Sequence, residues 1–220
     1  MMPCTRRTGR RPTDGGFQVL ESLINMLVAV EVLLAPAWAA GLAVRPPDGR
    51  ARRLARAAVA FVAMAVALLG LGFLAGEGMA ARALASQAVV LGFVLALAGL
   101  AAALERFAGP RAVQAMTALA GWLLVATIFL VAPLAQLSEE KATLVQAAVY
   151  SNPLVVAEHA LGFDWMHRTL TYQLTPLGES YAIYYASGIA WWKTALGYVF
   201  VGSALLVFGA TGLGRRKHAA

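Results

Sequence analysis

Charge is scarce in this sequence and missing altogether from long stretches. Only 13% of its 220 residues are Asp, Glu, Lys or Arg, against about a quarter in soluble domains, so an ordinary water-soluble domain is excluded. Cysteine occurs once, as Cys4. That excludes an internal disulfide and a multi-cysteine metal site. No P-loop pattern is present, which removes ATP hydrolysis by that route. The Gly-rich run Gly209 to Lys217 closes an apolar stretch instead of linking a strand to a helix, so it is not a dinucleotide fingerprint. Ser, His and Asp residues occur without a recognisable nucleophile context. The chain is therefore expected to be no enzyme, with no catalytic residue and no cofactor.

What is present is apolar. Ala57 to Gly76, Ala83 to Leu104, Ala112 to Ser138 and Thr194 to Gly214 contain no Asp, Glu, Lys or Arg, and each is long enough for a hydrocarbon core that needs about 20 residues. Phe17 to Val44 is a fifth candidate, interrupted by Glu21 and Glu31. Lipid leaves no water for unpaired backbone groups, and these runs lack the alternation of barrel strands. The expectation is an all-α, polytopic transmembrane helical bundle of about five spans. Gly70, Gly72, Gly92, Gly99, Gly197, Gly202 and Gly209 fall inside the spans, where small residues allow close helix approach.

The chain divides accordingly. Residues 1–16 form a basic tail, 17–138 four membrane helices, 139–187 an extracytoplasmic interfacial helical segment with a short helix pair, and 188–220 the last span with a basic cytoplasmic tail. The formal net charge is +7, but the basic residues sit at span ends, which points to lipid headgroups and topology and away from nucleic acid. Arg45, Arg50, Arg52, Arg53 and Arg56, the turn with Arg106 and Arg111, and the tail with Arg215, Arg216 and Lys217 fall on one face. That face is expected to be cytoplasmic, making this a multi-pass protein of the cell inner (plasma) membrane.

Arg6, Arg7, Arg10 and Arg11 conflict with this layout, since they precede the first span. The tail outside despite its charge, a first segment that re-enters without crossing, and a further span upstream are the competing resolutions. A signal peptide ending near Ala37-Trp38-Ala39 fits less well, because two glutamates interrupt the apolar region and cleavage would leave the most basic loop outside.

Ser151 to Leu174 gathers the polar residues that the spans lack. Ser151-Asn152-Pro153 is a helix-start signal, with a side-chain oxygen for a free amide and Pro at the first helical position. The helix is expected to reach about Leu161 and end at Gly162, with Asp164 capping a second short helix through Trp165 and His167. Tyr172, Tyr181, Tyr184, Tyr185, Trp191 and Trp192 follow, ring types that favour the membrane interface. Glu158, His159, Asp164 and His167 offer ligand types suited to a metal. Their spacing matches no established short motif, and the reading preferred for them is solvated or interfacial. Lys193, near the outer end of the last span, is expected to reach toward headgroups.

Glu31 is the outstanding single residue, a carboxylate near mid-span, where such groups face a bundle interior, a cavity or a partner. Two readings stand side by side. One is a proton or substrate contact; the other is a neutral, hydrogen-bonded Glu at a subunit interface, with Asn25, Gln87 or Thr127 as neighbours.

Two stretches carry a resemblance. Val32 to Val44, "VLLAPAWAAGLAV", resembles the end of the second membrane helix of ABC-2-type transporter permeases, and Ser151 to Gly162, "SNPLVVAEHALG", resembles the Asn-Pro segment before their last helix. The resemblance implies that the later four spans match that family's third to sixth, and that its first helix is missing here. It departs at Arg45 to Ala57, which leads almost directly into the next span, where the family has a longer amphipathic coupling region. The implied function is a non-catalytic permease-like subunit of an export complex, partnered by membrane lipids, other membrane subunits and an ATP-binding subunit. The alternatives are a structural subunit of a respiratory, photosynthetic or other membrane assembly, and a metal-dependent membrane enzyme using His159 and His167.

Overall fold

The computed structural model describes residues 14–43, 50–76, 78–131, 141–163 and 190–213. Among these residues there is helix and turn, and no strand. The elements are α1 (Asp14–Ala43), α2 (Arg50–Leu74), α3 (Met79–Leu104), α4 (Pro110–Val125), α5 (Lys141–Ser151), α6 (Pro153–Ala160) and α7 (Trp191–Leu213). Among the described residues, three helices are long and apolar enough to cross a bilayer: Gln18–Gly41 within α1, Met79–Leu104, and Trp191–Thr211 within α7.

The other two expected spans look different. In α2 the apolar part is Val59–Leu74, shorter than a full crossing. The charge-free run from Ala112 is broken: α4 is 16 residues long, a turn follows at Ala126, and helix resumes over 127–131. Large apolar side chains point outward along the bundle, among them Val30 and Leu34 of α1, Val62 and Val66 of α2, and Phe200 and Val207 of α7. In water that surface would drive aggregation; against lipid tails it is the expected boundary. The fold is thus all-α and consistent with a polytopic membrane bundle in contact with lipid.

α3 is the central helix, buried along most of its length by residues such as Val89, Val90, Phe93 and Leu97. It packs most extensively on α7, and glycine sets the spacing. A Cβ at Gly99 would overlap the Gly202 carbonyl, and one at Gly202 would come within 2.7 Å of the Leu95 backbone. Gly92 meets Ala195 and Gly209 meets Ala102 in the same way. Because positions rise together on both helices, α3 and α7 run parallel. Of the seven span glycines, Gly70 and Gly197 alone have nothing within 4 Å of such a Cβ.

On the other flank, Pro36 lies inside α1 and its ring faces Gly121 of α4, where a Cβ would come to 2.7 Å from the ring. A missing side chain on one helix therefore makes room for a proline on the next. At the far end of α3, Arg106 donates to the Phe208 carbonyl at 2.9 Å and lies 4.2 Å from the Phe208 ring centroid. That contact ties the α3–α4 turn to the end of α7.

Candidate functional site

Glu31 is half-buried on α1. Of the three neighbours considered for it, Gln87 of α3 is the donor: its Nε2 bonds Glu31 Oε2 at 2.7 Å. Gln87 is itself 4% exposed, so the pair is a helix-to-helix link made by one amide and one carboxylate. The Gln87 carbonyl oxygen and the neighbouring Ser86 hydroxyl have no hydrogen-bond partner among the described residues. Outside the link, Glu31 borders a cleft of about 500 Å³ between α1 and α2, whose walls include Leu27, Leu34, Trp38, Ala60 and Met64. Trp38 packs on Phe61 with ring centroids 6.5 Å apart. Among the described residues, a single carboxylate thus faces an otherwise apolar cleft.

The second polar group of the bundle surrounds Asn152. Its Oδ1 accepts from the backbone amides of Leu154 at 3.0 Å and Val155 at 3.1 Å, with Pro153 at the first helical position, the cap that the sequence signals. Its Nδ2 reaches much further along the chain, donating to the Val125 carbonyl at 2.6 Å and lying 3.3 Å from the Thr127 hydroxyl. This amide supplies the partner that the Val125 carbonyl needs where α4 breaks. The Thr127 hydroxyl donates to the Leu124 carbonyl at 2.8 Å, with the Ala148 carbonyl at 3.3 Å. From α7, Thr194 donates to the Tyr150 carbonyl at 3.1 Å and Tyr198 to the Ser151 carbonyl. Asn152 and Thr127 therefore join the two helix interruptions, and Thr194 and Tyr198 tie α7 to the end of α5. Sequence reading supplied the cap; nothing local signals the reach to Val125.

α6 has a definite place in the bundle. At its start, Ser151 is held by Tyr198, whose ring packs on Phe93 at 5.6 Å. At its end, Gly162 at φ +85° lies beside Arg82, where a Cβ would come to 2.9 Å from Nη1. α6 consequently runs antiparallel along the Arg82–Phe93 stretch of α3. Glu158 is 1% exposed, and neither carboxylate oxygen has a hydrogen-bond partner among the described residues. The reading of Glu158 as a solvated or interfacial side chain is corrected by this burial, which follows from α6 packing against α3 and α1. Desolvation pushes its carboxyl up to about 8.

The remaining sequence candidates scatter. His159 is half-buried in the last turn of α6, next to Glu158 in sequence and so about 100° around the helix from it. No group of three or more His, Cys, Asp or Glu that could hold a metal occurs among the described residues. Arg50, Arg52, Arg53 and Arg56 fall in the opening turns of α2, while Arg45, Asp164, His167, Arg215, Arg216 and Lys217 lie outside the described residues.

Fold and surface define the class: a multi-span membrane helical protein. No protein family, curated protein or solved structure matches the chain.

Proposed function

We propose that this chain is a permease-like subunit of an ABC-2-type export complex of the cell inner membrane, non-catalytic itself, crossing five times and driven by a separate ATP-binding subunit. The observation that carries the reading is Glu31, a carboxylate in a membrane helix, linked to Gln87 at 2.7 Å and facing an open apolar cleft. Such a group is costly in lipid and marks a path, a cavity or a partner contact. A cleft on the flank of one chain becomes an enclosed path only when a second membrane subunit covers it. The resemblance of Val32 to Val44 and Ser151 to Gly162 to ABC-2 permeases supports export as the class of transport.

A second reading, an accessory structural subunit beside cofactor-bearing proteins, uses the same cleft as a static interface. Mild detergent extraction followed by identification of retained proteins and ATPase assay after reconstitution separates the two. The export reading expects a stoichiometric ATP-binding protein. It also expects Glu31→Gln, which keeps a hydrogen-bonding side chain, to lower transport while leaving the yield of complex unchanged. Retention of redox subunits with no ATP-binding protein and no ATPase activity would establish the accessory reading instead.

A further inference from the structure

A second cavity, of about 870 Å³, lies on the opposite side of α3 from the Glu31 cleft, between α3, α4, α5 and α7. Its lining is sorted by position. Tyr150, Ser151, Lys193, Thr194 and Tyr198 gather near the start of α7, whereas Val201 and Leu205 of α7 and Leu97, Leu100 and Leu124 opposite make the rest apolar. Most of the polar atoms are already engaged: Thr194, Tyr198 and Ser151 donate to the carbonyls of Tyr150, Ser151 and Ala148. The Lys193 ammonium is the one charged group among the described lining residues. It lies 5.6 Å from the Trp192 ring centroid, has an exposed side chain, and has no carboxylate partner among the described residues.

From Lys193 to Leu205 the cavity follows α7 for about 18 Å at 1.5 Å per residue. That is on the order of one leaflet, half of the roughly 30 Å hydrocarbon core. Gly197 lies midway along this wall, and a Cβ there would meet nothing within 4 Å among the described residues. It therefore differs from Gly92, Gly99, Gly202 and Gly209, which seat α7 against α3. The wall at Gly197 is open to an occupant.

We infer that this groove binds a phospholipid with an anionic headgroup, its phosphate at Lys193 and one acyl chain laid along α7 past Gly197 to Leu205. Charge complementarity selects the headgroup, and leaflet-length apolar walls select the tail. Trp191 and Trp192 beside the head position are the ring types that favour this depth.

The test uses the full chain in nanodiscs containing palmitoyl-oleoyl phosphatidylglycerol or palmitoyl-oleoyl phosphatidylcholine, with retained lipid counted by native mass spectrometry after transfer to detergent. The expected result is retention of phosphatidylglycerol over phosphatidylcholine. Lys193→Gln should reduce that preference about fivefold, the order of one cationic contact with an anionic lipid. Gly197→Leu, which places a side chain in the open groove, should abolish retention of both lipids while the helical circular dichroism is kept. If Gly197→Leu fails to fold, p-benzoylphenylalanine in place of Val201 gives an independent reading, expected to be a photoadduct of lipid mass. Equal retention of the two lipids in all variants would overturn the inference, and so would a Val201 photoadduct formed only with protein, whether this chain or a second copy.

Discussion

Asn152 does two jobs with one side chain: its oxygen caps α6 and its amide serves the Val125 carbonyl. Asn152→Ala removes both, so a loss of about 1–3 kcal/mol is expected from the cap and the orphaned carbonyl together. Asn152→Asp keeps the acceptor but not the donor and should lose less at the cap while still opening the α4 break; thermal unfolding in detergent of both variants checks the order. Glu158 gives a prediction in pH. Its carboxyl is raised from 4.5 to about 8, so the folded state binds the proton more tightly than the unfolded chain. The stabilising contribution is then fully present below 4.5 and is lost as pH rises toward 8. The unfolding temperature of the wild type should fall across that window, and Glu158→Gln should flatten this part of the slope; an unchanged slope would mean that the carboxylate has found a partner. The two residues also mark how far sequence reading goes. The cap at Asn152 is local and legible, because the acceptor and the amides lie within three positions. Its bond to Val125, 27 positions away, and the burial of Glu158 depend on which helices meet, and no spacing along one strand of text encodes that.

Among the elements, the parallel α3–α7 pair rests on backbone contact more than on large side chains. Gly99→Leu places a branched side chain where the Gly202 backbone lies, so a cost at the upper end of the roughly 1–3 kcal/mol seen for overpacking is expected. Gly70→Ala, with open space around it, is the control and should unfold at the wild-type temperature or above. The same glycines show what the sequence carried and what it did not. Their presence in spans pointed to close packing, yet Gly70, Gly72 and Gly99 look alike in sequence. Only the pairing of helices separates a glycine at a contact from one facing open space. The break in α4 was hidden for a related reason: the run from Ala112 to Ser138 carries no charged residue, and hydropathy is blind to a turn whose carbonyl is satisfied from another helix.

For the molecule as a whole, the bilayer imposes a length and a composition that three of the five expected spans meet among the described residues: Gln18–Gly41, Met79–Leu104 and Trp191–Thr211. Glu31 stood out by the same logic, as the exception within a run. Its link to Gln87 narrows the three neighbours considered to one, and the cleft beside it was not visible until α2 was placed. Membrane embedding with α3 and α7 parallel is the claim on which the rest stands. It is tested most directly by single cysteines, in a Cys4→Ser background, at Gly78, Phe93, Gly109, Ala190 and Val201, labelled in intact cells and in opened membranes with a water-soluble maleimide. Gly78 and Ala190 are expected to label from one side, Gly109 from the other, and Phe93 and Val201 from neither. Labelling of Gly78 and Ala190 from opposite sides, or of all five positions in protein that stays dissolved without detergent, would contradict it.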